Sequence, residues 1–301
     1  MRSGFRAFFV AALACSAGAQ VEREFDGAKA LEYVETQLAF GPRVPNTRGH
    51  QSTGDWILER IEATADSVEV QAWDHVTSQG DTLHLRNFIA QFRPAVSERI
   101  LYVAHWDTRP AADRSANLGE QQSPVPGAND GASGVAVLLG VADALAVKPP
   151  SFGVDLLFVD GEDYGDFGRN IDVLLGSRYY AANLDPEKPK PLFAVVWDMI
   201  GDRDLRIPQE PNSVRGAPEV VQRVWDKAAE LGYGRIFRRE SGPPMTDDHL
   251  PLQRAGIRAI DVIDFEFGPG NSYWHTTEDT IDKVSVESLQ TVGDVAVALV
   301  R

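Results

Sequence analysis

Leu31, Val34 and Leu38 recur at helical spacing, and Trp56, Ile57, Ile61 and Ala65 resume the pattern after the turn-rich Gly41-Pro42-Arg43-Val44-Pro45-Asn46. This predicts two helices. Residues 68–73 alternate between polar and apolar, and 85–92 and 100–104 read as strands, bounded by Gly80-Asp81 and by a break over 94–97. Three continuous apolar runs follow, at 154–159, 192–197 and 257–263, interleaved with helical patterns over 132–147, 174–183 and 220–231. Runs that are apolar on both faces belong to strands covered on both sides. The expected fold is therefore α/β: a mixed, mostly parallel twisted central sheet with helices on both faces, an antiparallel hairpin at its start, and a last helix over 285–300.

Composition narrows the partners. Of 301 residues, 43% are hydrophobic and 24% charged, which fits a packed globular chain and excludes a disordered or fibrous one. Forty-four acidic residues against 29 basic ones leave a net charge of -15, the wrong sign for holding nucleic acid. The only cysteine is Cys15, so a metal site in the body of the chain has to use His, Asp and Glu.

Arg2 and Arg6, an apolar run over 7–14 and the small residues Ala17-Gly18-Ala19 have the order of a secretory signal. The expected organisation is a signal peptide over 1–19 and a single catalytic domain over 20–301, exported to the periplasm or the extracellular space. The apolar run is too short to span a bilayer, and no later stretch is long enough. Lipid anchoring through Cys15 ranks second, because Ala12 stands where such signals carry a larger aliphatic residue.

The chemistry sits at the strand ends. The strand over 100–104 runs into His105-Trp106-Asp107, that over 154–159 into Asp160-Gly161-Glu162-Asp163, and that over 192–197 into Asp198. The strand over 257–263 leads through a glycine-rich loop to Trp274-His275, and the small-residue loop Gly127-Ala128-Asn129-Asp130-Gly131 opens directly into a helix. Ligands of open parallel sheets bind beyond the carboxyl ends of the strands, so these groups are expected to converge on one rim. Singly, each has an ordinary structural reading, Asp160 as the cap of its turn for instance. Jointly, His105, Asp130, Glu162, Asp163, Asp198 and His275 have the make-up of a cysteine-free zinc site with one carboxylate to spare for proton transfer. The adjacent pair Glu162-Asp163 is the sharpest signal, since neighbouring carboxylates repel unless a cation lies between them.

Six motifs resemble, in order, those of the zinc-dependent glutaminyl cyclases of the bacterial and animal type, which share a fold with the dizinc aminopeptidases. They are His105-Trp106-Asp107-Thr108-Arg109-Pro110, the loop 127–134, Asp160-Gly161-Glu162-Asp163-Tyr164-Gly165, Trp197-Asp198-Met199-Ile200-Gly201, Thr246-Asp247-Asp248-His249 and Trp274-His275-Thr276. The resemblance runs from about residue 41 to the C-terminus. It implies one zinc held by Asp130, Asp163 and His275, Glu162 as the proton carrier, Asp198 and Asp247 as its acidic partners, and Trp274 in the substrate pocket. The implied substrates are peptides or proteins with an N-terminal glutamine, converted to pyroglutamate with release of ammonia.

The same residues suit a dizinc aminopeptidase, in which His105 and Asp198 would hold a second zinc and Asp130 would bridge the two. The ligand list leaves that alternative open, while Trp274 before His275 and the loop 246–251 resemble the cyclases. The animal cyclases carry Glu in place of Asp163 and histidine in place of Asp261. Retention of the full donor set speaks against a binding protein with a dead site. Outside the motifs, His249 is expected to tether its loop or reach the pocket, His50, His75 and His84 to lie on the surface, and residues 113–125 to form a surface excursion.

Overall fold

The computed structural model describes residues 23–301, so the expected signal segment, 1–19, lies outside the described residues. Helices α1 (Gly27–Ala39) and α2 (Arg48–Glu62) lead into strands β1 (Ser67–Val76), β2 (Thr82–Phe92) and β3 (Arg99–His105). Then come α3 (Ala132–Val147), β4 (Gly153–Val159), α4 (Leu175–Ala182), β5 (Phe193–Asp198), β6 (Ile207–Gln209), α5 (Pro211–Gly216), α6 (Pro218–Glu230), β7 (Phe237–Ser241), α7 (His249–Arg254), β8 (Ala259–Ile263) and α8 (Val286–Leu299). The main sheet has the order β1-β2-β4-β3-β5-β8. β1, β2 and β4 pair antiparallel, whereas β4, β3, β5 and β8 run parallel.

The parallel strands divide their side chains between two cores. Ile100, Tyr102 and Ala104 of β3 face the larger one with α1, α3 and α8, while Leu101 and Val103 face a smaller one with Leu252 of α7 and Tyr180 of α4. α3 is apolar on nearly its whole circumference because it lies between the sheet and α1 and α8. Side chains start the helices where the chain turns in: Asp26 accepts from the Ala28 and Lys29 N–H groups, Thr47 from His50 N–H and Ser285 from Ser288 N–H. The β6–β7 pair and α5 have no counterpart in the sequence pattern; a three-residue strand and a six-residue helix are too short to show a period.

The topology fixes where the site lies. From β3 the chain moves to β4 on one side, and from β4 it crosses back to β5 on the other, so the switch point falls between β3 and β5. His105 ends β3 and Asp198 ends β5, one on each lip of the resulting crevice.

Two expectations fail here. His50 is not a surface residue but is 2% exposed. It shares the buried face of α2 with Thr53, Ile57 and Ile61, a helical spacing visible in the sequence. Its ring stacks on Trp106 at 4.2 Å, and its Nε2 lies 2.8 Å and 3.0 Å from the two oxygens of Asp160. Asp160 also accepts from Arg86 N–H at 2.8 Å, so it ties β4 to β2 and α2; the N–H groups of its own turn go to Asp107 instead, so the cap reading of Asp160 does not hold. His84 is exposed beside Asp74, and His75 is half-buried beside Asp172, as a surface reading requires.

Candidate active site

Four loops carry the chemistry to the rim, and buried groups hold each of them. After β4, the N–H groups of Glu162 and Asp163 both donate to Asp107, at 3.0 Å and 3.1 Å. Ahead of α3, the N–H groups of Asn129 and Asp130 both donate to Asp279, at 2.7 Å and 3.1 Å. Arg43 is fully buried and donates to the carbonyls of Trp106, Pro126 and Gly127, which joins the loop after β3 to the loop bearing Asp130. Burial pulls its pKa down to about 10 despite the carboxylates of Asp279, Asp107 and Asp130, so it stays charged at neutral pH. The small residues of 127–134 answer to close approach: a Cβ on Gly131 would lie 2.4 Å from the His105 carbonyl, and one on Gly134 would strike the Trp197 carbonyl. His275 adopts a left-handed backbone conformation, φ +54°, at the end of the loop after β8.

These supports bring the expected residues together in two overlapping trios. His105, Asp130 and Asp198 form one, and Asp130, Asp163 and His275 the other; within each, potential ligand atoms lie within 4.8 Å of one another. Asp130 Oδ1 is 3.0 Å from His105 Nε2, and Asp130 Oδ2 is 3.6 Å from His275 Nε2. His275 Nε2 is 3.3 Å from Asp163 Oδ1, and His105 Nε2 is 3.2 Å from Asp198 Oδ1. Glu162 belongs to neither trio; its Oε2 lies 3.9 Å from His105 Nδ1.

The rim crowds buried carboxylates together, a setting that suits a cation, although against the rise from burial His105, His275 and Arg109 already hold Asp130 below its ordinary value. Asp130, Glu162, Asp163, Asp198 and Asp247 are all buried on this rim. Burial raises Glu162 well above the usual carboxylate range, with the charges of Asp163, Asp247 and Asp248 adding to the rise against the pull of His105. Burial likewise pushes Asp198 up to about 7 and Asp163 up to about 6. Such rises measure the cost of ionised carboxylates crowded in a low dielectric, which a divalent ion between them reverses. Imidazole and carboxylate donors without a thiolate suit zinc, and three donors per ion leave a coordination position open, as catalytic zinc requires.

Beside the trios lies a cavity of about 140 Å³ whose lining combines Asp130, Glu162, Asp163, Asp198 and Asp247 with apolar side chains such as Met199, Met245, Ile263 and Phe265. Trp274 walls it, stacked on the His275 ring at 3.8 Å and set edge-on to Phe265. Larger hollows elsewhere, such as that by Asn46 and Arg86, contain neither trio.

The model of peptidase family M28 matches residues 87–300. The chain belongs to that family. It is therefore an enzyme, and among similar M28-type proteins both a cyclase and a peptidase name occur. The structure of Bacteroides thetaiotaomicron glutaminyl cyclase bound to N-acetylhistamine is 37% identical, covers 92% of this chain and 97% of that one, and superposes with a TM-score of 0.86. Glutaminyl-peptide cyclotransferase of Bos taurus is 26% identical over 294 residues, covering 85% of this chain and 77% of that protein. Aminopeptidase YwaD of Bacillus subtilis (strain 168) is 28% identical over 295 residues, 92% of this chain. The chain spans 57% of the length of that relative.

The supporting roles of Asp107, Asp279 and Arg43 are not legible in the sequence, although Asp107 falls in the motif that ends β3 and Arg43 in the turn-rich segment before α2, because each acts through backbone groups distant in sequence. The stretch 113–125 is more than a surface excursion: Asp113 stands 3.5 Å from His275 Nδ1, and Arg114 N–H donates to the His275 carbonyl at 3.2 Å. His249 does not line the cavity. It is buried on α7, with Nε2 3.4 Å from Glu210 and Nδ1 4.0 Å from Asp261. Asp261 alternates onto the same side of β8 as Ala259, where burial and the charges of Asp247, Asp198 and Glu210 push it well up.

Glu210 caps α5 and accepts from Asn212, Ser213 and Met245 N–H groups. Burial alone would raise it, but His249 and these donors hold it down at about 2. A folded pKa below the ordinary 4.5 contributes stability that is complete above about pH 4.5 and is lost as pH falls towards 2. Glu210→Gln is accordingly expected to flatten the acid limb of a urea-stability profile over that window; an unchanged limb contradicts the role.

Proposed function

We propose that the chain is a glutaminyl-peptide cyclotransferase, with one zinc held by Asp130, Asp163 and His275. The observation that carries this reading is the cavity itself, a small, tryptophan-walled hollow that puts Glu162 beside that trio and has room for one folded-back side chain. Zinc bound there would polarise the side-chain carbonyl of an N-terminal glutamine. Trp274, Phe265 and Ile263 would line the hollow around the methylene groups and exclude water from the reacting atoms. The α-amine of the same residue is tethered for a five-membered ring closure, so proximity replaces an external nucleophile. The amine nitrogen forms its bond to the carbonyl carbon while Glu162 takes a proton from it. Glu162 then delivers that proton to the amide nitrogen as the carbon–nitrogen bond breaks, and ammonia leaves. Asp198 and Asp247, on the lining of the same cavity, would orient the amine towards Glu162. A single-metal reading draws on His105 and Asp198, which lie at hydrogen-bonding distance from each other and so can satisfy one another without a second ion.

A second reading rests on Asp130, whose two oxygens face different trios, the arrangement a carboxylate bridging two ions needs. On that reading Glu162 activates water and the chain is an aminopeptidase. One experiment separates the two. Purified protein given a peptide with N-terminal glutamine is expected to release ammonia and a product about 17 Da lighter, to leave a leucyl anilide intact, and to contain one tightly held zinc per chain. Release of free amino acid with two zincs per chain would transfer the assignment to hydrolysis. Export to the periplasm or extracellular space through the N-terminal 19 residues, with residues 20–301 as one catalytic domain, is part of the same proposal. No helix among the described residues is long and apolar enough to cross a membrane.

A further inference from the structure

Arg109 and Asp113 belong to neither trio, yet together they touch both ligands that the second trio does not share with the first. Arg109 Nη1 donates to Asp163 Oδ1 at 2.9 Å and to the carbonyls of Asp163 and Gly165 at 3.3 Å and 3.2 Å. Its Nε and Nη2 grip the two oxygens of Asp113 at 3.0 Å and 2.7 Å, a forked geometry that lysine cannot reproduce. Asp113 Oδ1 in turn stands 3.5 Å from Nδ1 of His275, while Nε2 of that ring faces Asp163 and Asp130.

We infer that Arg109 and Asp113 form a clamp that positions Asp163 and His275 and sets the strength with which they hold a metal. A carboxylate on one imidazole nitrogen keeps the proton there, leaves the lone pair on the other, and increases its donor strength. Arg109 aims Asp163 and carries Asp113 into place. The clamp closes a loop between residues 109, 113, 163 and 275, which come from three separate segments. The carboxylate end of the clamp lies outside the packed core, the Asp113 side chain being 43% exposed, so its replacement by an amide of the same shape leaves the core as it is. The inference rests on the reading that Asp130, Asp163 and His275 are zinc ligands, but not on which reaction they serve.

The test uses the full chain, Asp113→Asn and Arg109→Lys, zinc affinity from competition with a chelator, and the visible spectrum of the cobalt-substituted protein. Asp113→Asn is expected to bind zinc about 10- to 100-fold more weakly, with altered cobalt bands and an unchanged melting temperature of the metal-free protein. Arg109→Lys, keeping the charge and losing the fork, is expected to show a smaller loss in the same direction. Affinity of Asp113→Asn within about threefold of the unaltered chain, with an unchanged cobalt spectrum, overturns the clamp. If His275→Ala binds zinc as well as the unaltered chain does, the ligand reading fails and the clamp with it.

Discussion

Glu162→Gln is expected to keep its zinc and lose its turnover. The substitution preserves shape and leaves intact the Asp107 carboxylate that holds the Glu162 N–H, so the loop stays in place. Because Glu162 lies in neither ligand trio, no donor to the metal is removed. What disappears is a group able to accept a proton from the amine and return it to the departing nitrogen. General acid–base catalysis of this kind contributes about 10²- to 10⁴-fold, and ammonia release from a glutaminyl peptide is expected to fall by that factor. Zinc content and the melting temperature with zinc should match the unaltered protein. Undiminished activity would remove Glu162 from the proton path, and loss of zinc would move it into the ligand set.

Asp163→Ala has the second large effect, and its signature is thermodynamic before it is kinetic. A metal that binds the folded state alone stabilises it by about 2.7 kcal/mol when free metal stands at 100 times its dissociation constant. The unaltered chain should therefore melt at a higher temperature with zinc than with a chelator. In Asp163→Ala the two melting curves are expected to coincide, because a two-donor remnant of Asp130 and His275 no longer holds the ion, and activity goes with it. A zinc-dependent shift as large as that of the unaltered chain would exclude Asp163 as a ligand. The single-zinc reading predicts coincident curves, whereas the two-zinc reading leaves His105, Asp130 and Asp198 able to hold an ion and predicts a reduced shift, so the result also bears on the number of ions.

Much of the architecture is legible along the chain because parallel strands covered on both faces must be apolar throughout. The runs at 154–159 and 192–197 correspond to β4 and β5 almost residue for residue. The rim follows from the same logic: a polar residue placed directly after a buried strand emerges at its carboxyl end, as His105 and Asp198 do. His50 shows how a legible signal can be overlooked, since its spacing to Ile57 and Ile61 puts it on the buried face of α2. Asp113 shows the opposite case. Its polar, glutamine-rich surroundings read as surface, and nothing local announces that Arg109 turns it towards His275.

By itself the sequence determined which donors are available, that no thiolate is among them, and that the strand order of apolar runs delivers the donors to one edge. Only the tertiary structure decided the pairings: Asp107 beneath Glu162 and Asp163, Asp279 beneath Asp130, Arg43 between two loops, and Asp130 shared by two trios. The reason is physical. Burial of a strand leaves a periodic trace in the residues that undergo it, whereas a buried carboxylate that accepts backbone N–H bonds places almost no demand on the identity of the residues donating them.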